Sequence, residues 1–95
     1  MELIKLKKFL PPNFQVSVIA DHFRVVSFRA DNMRFKHCHL FKDVGDLDRL
    51  IFDAEKNLDF SIGKGNAEWA DYYQDKINEL SQIKVICGNS RPLES

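Results

Sequence analysis

The first 42 residues alternate hydrophobic and polar positions with the two-residue period of a β-strand. Between residues 14 and 41, polar breaks at 21–22 and 31–32 carry residue types that tolerate tight turns. The pattern predicts an antiparallel meander of three strands, over residues 14–20, 23–30 and 33–41.

A further short strand is predicted over residues 2–9, where Ile4 and Leu6 alternate with lysines. Lysines on an edge strand discourage pairing with other chains. Pro11 and Pro12 follow directly, and we expect them to end the strand.

From Asp43 onward the hydrophobic positions recur with the period of a helix. Either Asp43 or Asp46 can cap its N-terminus, and the predicted helix ends near Asn57. Its apolar stripe comprises Leu47, Leu50, Ile51, Ala54 and Leu58.

A loop over residues 59–65, anchored by Phe60 and Ile62, is predicted to lead to a second helix capped by Asn66. The inner stripe of that helix comprises Trp69, Ala70, Tyr73, Ile77 and Leu80. Residues 83–88 are rich in β-branched side chains and end in glycine, so they are predicted to form a strand. The tail, residues 89–95, is expected to fray.

These elements predict one α+β domain over residues 1–95, a mostly antiparallel sheet with two helices packed on one face. Residues 1–42 supply the strands and residues 43–82 the helices. A chain of 95 residues that is 44% hydrophobic has the composition of an ordinary globular domain.

Neither face of the predicted meander is polar. Two-residue turns would place Ala20 opposite Phe23 and Ala30 opposite Met33. One face would then comprise Phe14, Val16, Val18, Ala20, Phe23, Val25, Cys38 and Leu40. The other would comprise Ile19, Val26, Phe28, Ala30, Met33, Phe35 and Phe41, interrupted by polar residues that include Arg24, His37 and His39.

Two helices can cover only one of these faces, so we expect the other to contact a partner, with a second copy of the chain as the first choice. The predicted contact comprises Val26, Phe28, Met33 and Phe35, with Arg24 and His39 at its rim. Two alternatives remain open. The N-terminal strand and the tail can cover that face instead, and a one-residue bulge would exchange the faces beyond it.

The charges are sorted along the chain. Residues 1–42 hold eight Lys and Arg against three Asp and Glu, whereas residues 43–82 hold four against ten. The total is zero, which counts against non-specific binding of nucleic acid by the whole surface. We expect basic strands and acidic helices to form two electrically different surfaces.

A nucleic-acid-binding module is the alternative function. Basic and aromatic residues on strands can bind single-stranded bases, and the candidate cations are Arg29, Arg34 and Lys36. On the predicted register these cations face away from the phenylalanines, which weakens the case.

His37 and His39 would lie on the same side of a strand, at a spacing compatible with two metal ligands. No third ligand is evident, although His22 or a carboxylate could supply one, and two imidazoles on a half-buried face need no metal. Cys38 points to the opposite side from both histidines, so neither can easily take its proton. Residues 63–65, Gly-Lys-Gly, lack the rest of a phosphate-binding motif. We therefore predict no catalytic residue, no metal and no cofactor.

The function that follows is a non-enzymatic binding or adaptor protein that forms a homodimer. No apolar leader or membrane-spanning run occurs, and the two cysteines lack zinc-type spacing. A cytoplasmic protein that does not contact membranes is expected.

The tail from Cys87 to Ser95 resembles the ends of small proteins encoded by integron gene cassettes, where a reading frame can run into the recombination site. The resemblance covers nine residues. It implies a bacterial accessory protein and implies no activity.

Overall fold

The computed structural model describes residues 2–88 and has the predicted α+β fold. In chain order the elements are α1 (Glu2–Phe9), β1 (Phe14–Ile19), β2 (His22–Phe28), β3 (Phe35–Phe41), α2 (Val44–Gly63) and α3 (Ala67–Gly88). The three strands form an antiparallel sheet in the order β1-β2-β3, so the predicted meander is confirmed.

The two-residue turn between β1 and β2 lies one residue earlier in the chain than predicted. Ile19 pairs with His22, whereas the prediction placed Ala20 opposite Phe23. Ala20 lies in the turn with φ of 56°, a left-handed conformation. The register therefore differs by two residues, and a shift of two leaves every side chain on its predicted face.

A β-bulge between β2 and β3 exchanges the predicted faces of β3. Ser27 pairs with His37 and Phe28 with Phe35, which leaves Lys36 as one surplus residue on β3. The pairing of Phe28 with Phe35 agrees with the prediction. Beyond the bulge, however, His39 pairs with Val25 and lies on the covered face, so its predicted place at the rim of an exposed face is wrong.

The N-terminal strand was also wrongly predicted, because residues 2–9 form α1. Leu6 and Leu10 are both buried and lie four residues apart, a helical spacing. Ile4, two residues before Leu6, is exposed. Pro11 follows the helix, as is common where a helix must end.

Both C-terminal helices are longer than predicted. Of the two predicted caps, Asp43 is the one that caps α2, because its side chain accepts a hydrogen bond from the backbone N–H of Asp46 at 2.9 Å. The helix runs through the predicted loop to Gly63, so Phe60 and Ile62 are exposed rather than anchoring a loop.

Asn66 accepts a hydrogen bond from the backbone N–H of Trp69 at 3.1 Å, which confirms the second predicted cap. The predicted strand over residues 83–88 is wrong, since α3 continues to Gly88. Leu80, Ile83 and Cys87 are buried at helical spacing. Trp69, predicted on the inner stripe, is exposed, and the tail over 89–95 lies outside the described residues.

One hydrophobic core lies between the sheet and the helices. Its buried members come from every helix and from β2 and β3, with Leu10 just beyond α1. They are Leu6, Leu10, Val25, Phe41, Leu47, Leu80, Ile83 and Cys87. We call the opposite side of the sheet the outer sheet face, formed by Ile19, Arg24, Val26, Cys38 and Leu40.

Candidate functional site

A group of polar side chains is enclosed between β3 and α3. The bulge turns the consecutive residues Lys36 and His37 toward α3, where a regular strand would point them to opposite faces. His39 reaches the same side two residues later. We call this group the polar cluster; it comprises Ser27, Lys36, His37, His39, Asp75 and Glu79.

Glu79 lies at the centre of the polar cluster and is only 5% exposed. Its Oε1 accepts hydrogen bonds from Ser27 Oγ at 2.7 Å and from His39 Nε2 at 2.9 Å. Lys36 Nζ lies 3.3 Å from the other oxygen, Oε2. Burial alone would raise the pKa of Glu79, but the hydrogen bonds from His39 and Ser27 outweigh it and hold the pKa below its ordinary value. Glu79 is therefore a buried carboxylate that stays ionised.

Asp75, one helical turn earlier, bridges the two consecutive residues of the bulge. Its Oδ2 lies 2.7 Å from Lys36 Nζ and 3.2 Å from His37 Nε2. The hydrogen bond with Asp75 raises the pKa of Lys36 against the opposing effect of burial. Lys36 is therefore a fixed positive charge between two carboxylates.

In their neutral form both histidines are held in one tautomer by a carboxylate. Because a carboxylate can only accept, Nε2 of each neutral ring carries the proton and donates it to Asp75 or Glu79. Within residues 2–88, the Nδ1 atoms of His37 and His39 are buried without a hydrogen-bond partner. Burial is the main cause that lowers the pKa of His37, although the Glu79 charge and the Asp75 hydrogen bond oppose it.

Aromatic rings cover the outer side of the polar cluster. The ring of His37 lies 4.7 Å from that of Tyr72 and 5.8 Å from that of His39, measured between centroids. Trp69 contacts Tyr72 edge-on at 5.4 Å. Tyr72 therefore shields the His37 ring from solvent on one side.

Beside Tyr72 the polar cluster opens into a cleft of about 960 Å³ between the β2–β3 connection and α3. Lys36, His37 and Asp75 lie in its wall. The rest of the lining is polar with two aromatic rings and comprises Arg29, Ala30, Asp31, Phe35, Glu68, Asp71, Tyr72, Gln74 and Asn78. Solutes can therefore reach the polar cluster from the cleft.

The structure keeps Val26, Phe28 and Phe35 on neighbouring positions of β2 and β3, with Phe28 paired to Phe35. Val26 and Phe28 are half-buried. Met33 is exposed in the turn before β3, and Phe35 is exposed at the start of β3. Arg24 is exposed on the outer sheet face, and Cys38 and Leu40 occupy the positions there that were predicted for His37 and His39.

Of the three cations of the nucleic-acid alternative, Arg29 and Arg34 are joined across the turn by a backbone hydrogen bond, and Arg29 and Lys36 line the same cleft. Arg29 and Arg34 are exposed near the β2–β3 turn, and Arg29 lies 3.9 Å from Asp31. Lys36 is already neutralised by Asp75 and Glu79. Nucleic-acid binding stays a prediction, and Lys36 is no longer a candidate for binding phosphate.

Sequence reasoning assigned Asp75 and Glu79 to a solvated helix face and so missed them. The signal that could have found them is spacing, since Tyr72, Glu79 and Ile83 recur at helical intervals on one stripe. That stripe becomes visible only if α3 continues past residue 82, where the predicted helix stopped.

No helix between residues 2 and 88 combines the length and apolarity needed to span a bilayer. Compared with known proteins, the chain matches no family model, no curated protein and no solved structure.

Proposed function

We propose that this protein is a binding module that acts as a homodimer, in which β3 of one copy pairs antiparallel with β3 of the other. One observation carries the proposal: β3 is an open sheet edge whose solvent-facing side chains are apolar. Phe35 is 62% exposed and Leu40 52% exposed, and Cys38 between them is exposed too.

An open edge presents unpaired backbone N–H and C=O groups, and monomeric proteins usually guard it with charge or proline. Within residues 2–88, β3 pairs only with β2, and its one lysine is turned inward by the bulge. Helices contact both edge strands, α1 at β1 and α2 at β3. We choose β3 because its exposed side chains include the larger Phe35 and Leu40, against Val18 and Ile19 on β1.

The occupant that best fits this edge is a second copy. β3 reads almost the same in both directions about Cys38, with a histidine on each side and a phenylalanine at each end. A two-fold axis at Cys38 would place the two copies of Cys38 opposite each other and pair His37 with His39 of the other copy. The chain has 14 Lys and Arg and 14 Asp and Glu, so two copies approach without net repulsion.

The test compares Leu40→Lys with Ile19→Lys by sedimentation velocity at micromolar concentration. Leu40 and Ile19 are 52% and 48% exposed, but they lie on opposite edge strands. A charge on β3 should give monomers, whereas the same charge on β1 should leave the dimer intact. A monomeric unmodified protein, or equal behaviour of the two variants, would show that the proposal is wrong.

The register has a readout of its own. With the axis at Cys38, the two copies of this residue lie opposite each other, with Cβ atoms about 4.5–5.5 Å apart. Mild oxidation should give a covalent dimer that is lost in Cys38→Ser. Cys87 is buried, so a covalent dimer that persists in Cys38→Ser would contradict this register.

A further inference from the structure

We propose that His37, Asp75 and Glu79 form a binding site for a divalent transition-metal ion of the Zn²⁺ type, and that Lys36 holds the cation position in the metal-free protein. The site lies on the helix side of the sheet and is independent of the β3 edge.

The donor atoms have the chemistry and spacing that such an ion requires. One ligand atom from each of the three residues lies within 4.8 Å of the other two. Imidazole nitrogen and carboxylate oxygen are ordinary Zn²⁺ ligands at about 2.0–2.2 Å, which places two ligands of a tetrahedral ion about 3.3 Å apart. His37 Nε2 and Asp75 Oδ2 are 3.2 Å apart, so both can bind one ion with little movement.

The ammonium group of Lys36 occupies the position between the two carboxylates where a metal ion would bind. The ammonium lies 2.7 Å from Asp75 and 3.3 Å from Glu79. With neutral imidazoles, two carboxylates and one ammonium leave one negative charge uncompensated. A divalent ion in place of the ammonium would balance both carboxylates.

The surroundings supply an entry path and support for the ligands. Lys36 is 26% exposed and lies in the cleft wall with His37 and Asp75, so its flexible side chain can move into the cleft as an ion enters. Ser27 and His39 orient the Glu79 carboxylate from behind, as outer partners of metal ligands do. A water molecule from the cleft can complete a tetrahedral site.

Two costs make the site weaker than a closed structural zinc site. The ion must displace Lys36, and binding at Nε2 moves the His37 proton to Nδ1, which has no hydrogen-bond partner within residues 2–88. Removing the first cost is the most direct test, because Lys36→Met keeps the length of the side chain and abolishes the competing charge.

The experiment measures Zn²⁺ affinity by competition with a chromophoric chelator, in a Cys38→Ser background that removes the exposed thiol. Lys36→Met should bind Zn²⁺ about tenfold or more tightly, and His37→Gln about tenfold or more weakly. Asp75→Asn, at a side chain that is 40% exposed, provides a second ligand variant should His37→Gln fail to fold. Co²⁺ bound to Lys36→Met should give the visible absorption of a tetrahedral site.

His22→Gln is the matched control, since His22 also lies beside a carboxylate, 3.1 Å from Asp21, but on the surface. It should leave the affinity unchanged. The proposal is overturned if Lys36→Met binds no more tightly than the parent, if both ligand variants bind as the parent does, or if His22→Gln is the variant that loses Zn²⁺.

Discussion

Glu79 is the residue on which the polar cluster depends, because its carboxylate joins three side chains of the sheet to α3. Ser27, Lys36 and His39 all use it as a partner. A buried ion pair adds little net stability compared with a well-packed apolar pair, yet removing one member leaves the others buried and unpaired. Glu79 therefore adds little net stability compared with an apolar residue, but its removal strongly destabilises the protein.

Glu79→Ala should lower the free energy of unfolding by about 3 kcal/mol, since it leaves Ser27, His39 and part of Lys36 without an acceptor. Urea titration followed by circular dichroism measures the change. Glu55→Ala, at an exposed position of α2, is the control and should stay within about 0.5 kcal/mol of the unmodified protein. Equal losses in the two variants would contradict a central role for Glu79.

Among the elements, those with strong local signals were predicted correctly. Asn66 was recognised as a cap, and Asp43 as one of two candidates with Asp46, because capping depends on a few neighbouring residues. In α1, Ile4 and Leu6 offered a single alternation, too short to distinguish a strand from a helix. In α3, the β-branched residues after Gln82 favoured a strand, but burial of Ile83 and Cys87 against the core overrides that propensity.

The bulge in β3 brings Lys36 and His37 to the same side of the sheet and so forms the polar cluster. No local sequence pattern indicates this bulge. No glycine or proline occurs between Phe35 and Phe41, so the sequence of β3 itself does not indicate a bulge. The polar cluster could therefore not be predicted, although His37 and His39 were correctly expected to share one face of a strand.

The β1–β2 turn gives a prediction at the scale of elements. Ala20 adopts φ of 56°, which costs a residue with a Cβ atom about 1–2 kcal/mol. Ala20→Gly should relieve this strain and, after the entropy that glycine adds to the unfolded chain, stabilise the protein by about 0.5–1 kcal/mol. Thermal unfolding measures the difference.

Ala30→Gly is the matched control, because Ala30 is exposed in the other hairpin connection and is not among the described residues with positive φ. It should be neutral or destabilising. If both glycine variants shift the melting temperature equally, strain at Ala20 is not the cause.

In the whole molecule, the basic strand region and the acidic helical region form ion pairs with each other, whereas the sequence predicted two separate charged surfaces. Lys36 on the sheet contacts Asp75 and Glu79 on α3, so charges expected on two separate surfaces partly neutralise each other inside the protein. Charge totals along a chain do not show which side chains face inward. Here the bulge turns Lys36 inward, toward α3. What stays exposed on β3 is apolar, which is the basis of the proposed dimer.

A dimer makes a prediction about the melting temperature. Because association stabilises the folded state by mass action, a hundredfold increase in protein concentration should raise Tm by several degrees in the unmodified protein. Leu40→Lys should show a Tm that is independent of concentration. A flat Tm in the unmodified protein would contradict association over that concentration range.

The surplus residue in β3 has a genetic consequence. Pairs on both sides of Lys36 are in register with β2 without it, since Phe28 meets Phe35 and Ser27 meets His37. Loss of a single codon at this position would straighten the strand and keep both histidines where they are. Such an in-frame deletion would leave the pairing of β3 with β2 intact, and its cost would come from leaving Asp75 and Glu79 without their ammonium partner.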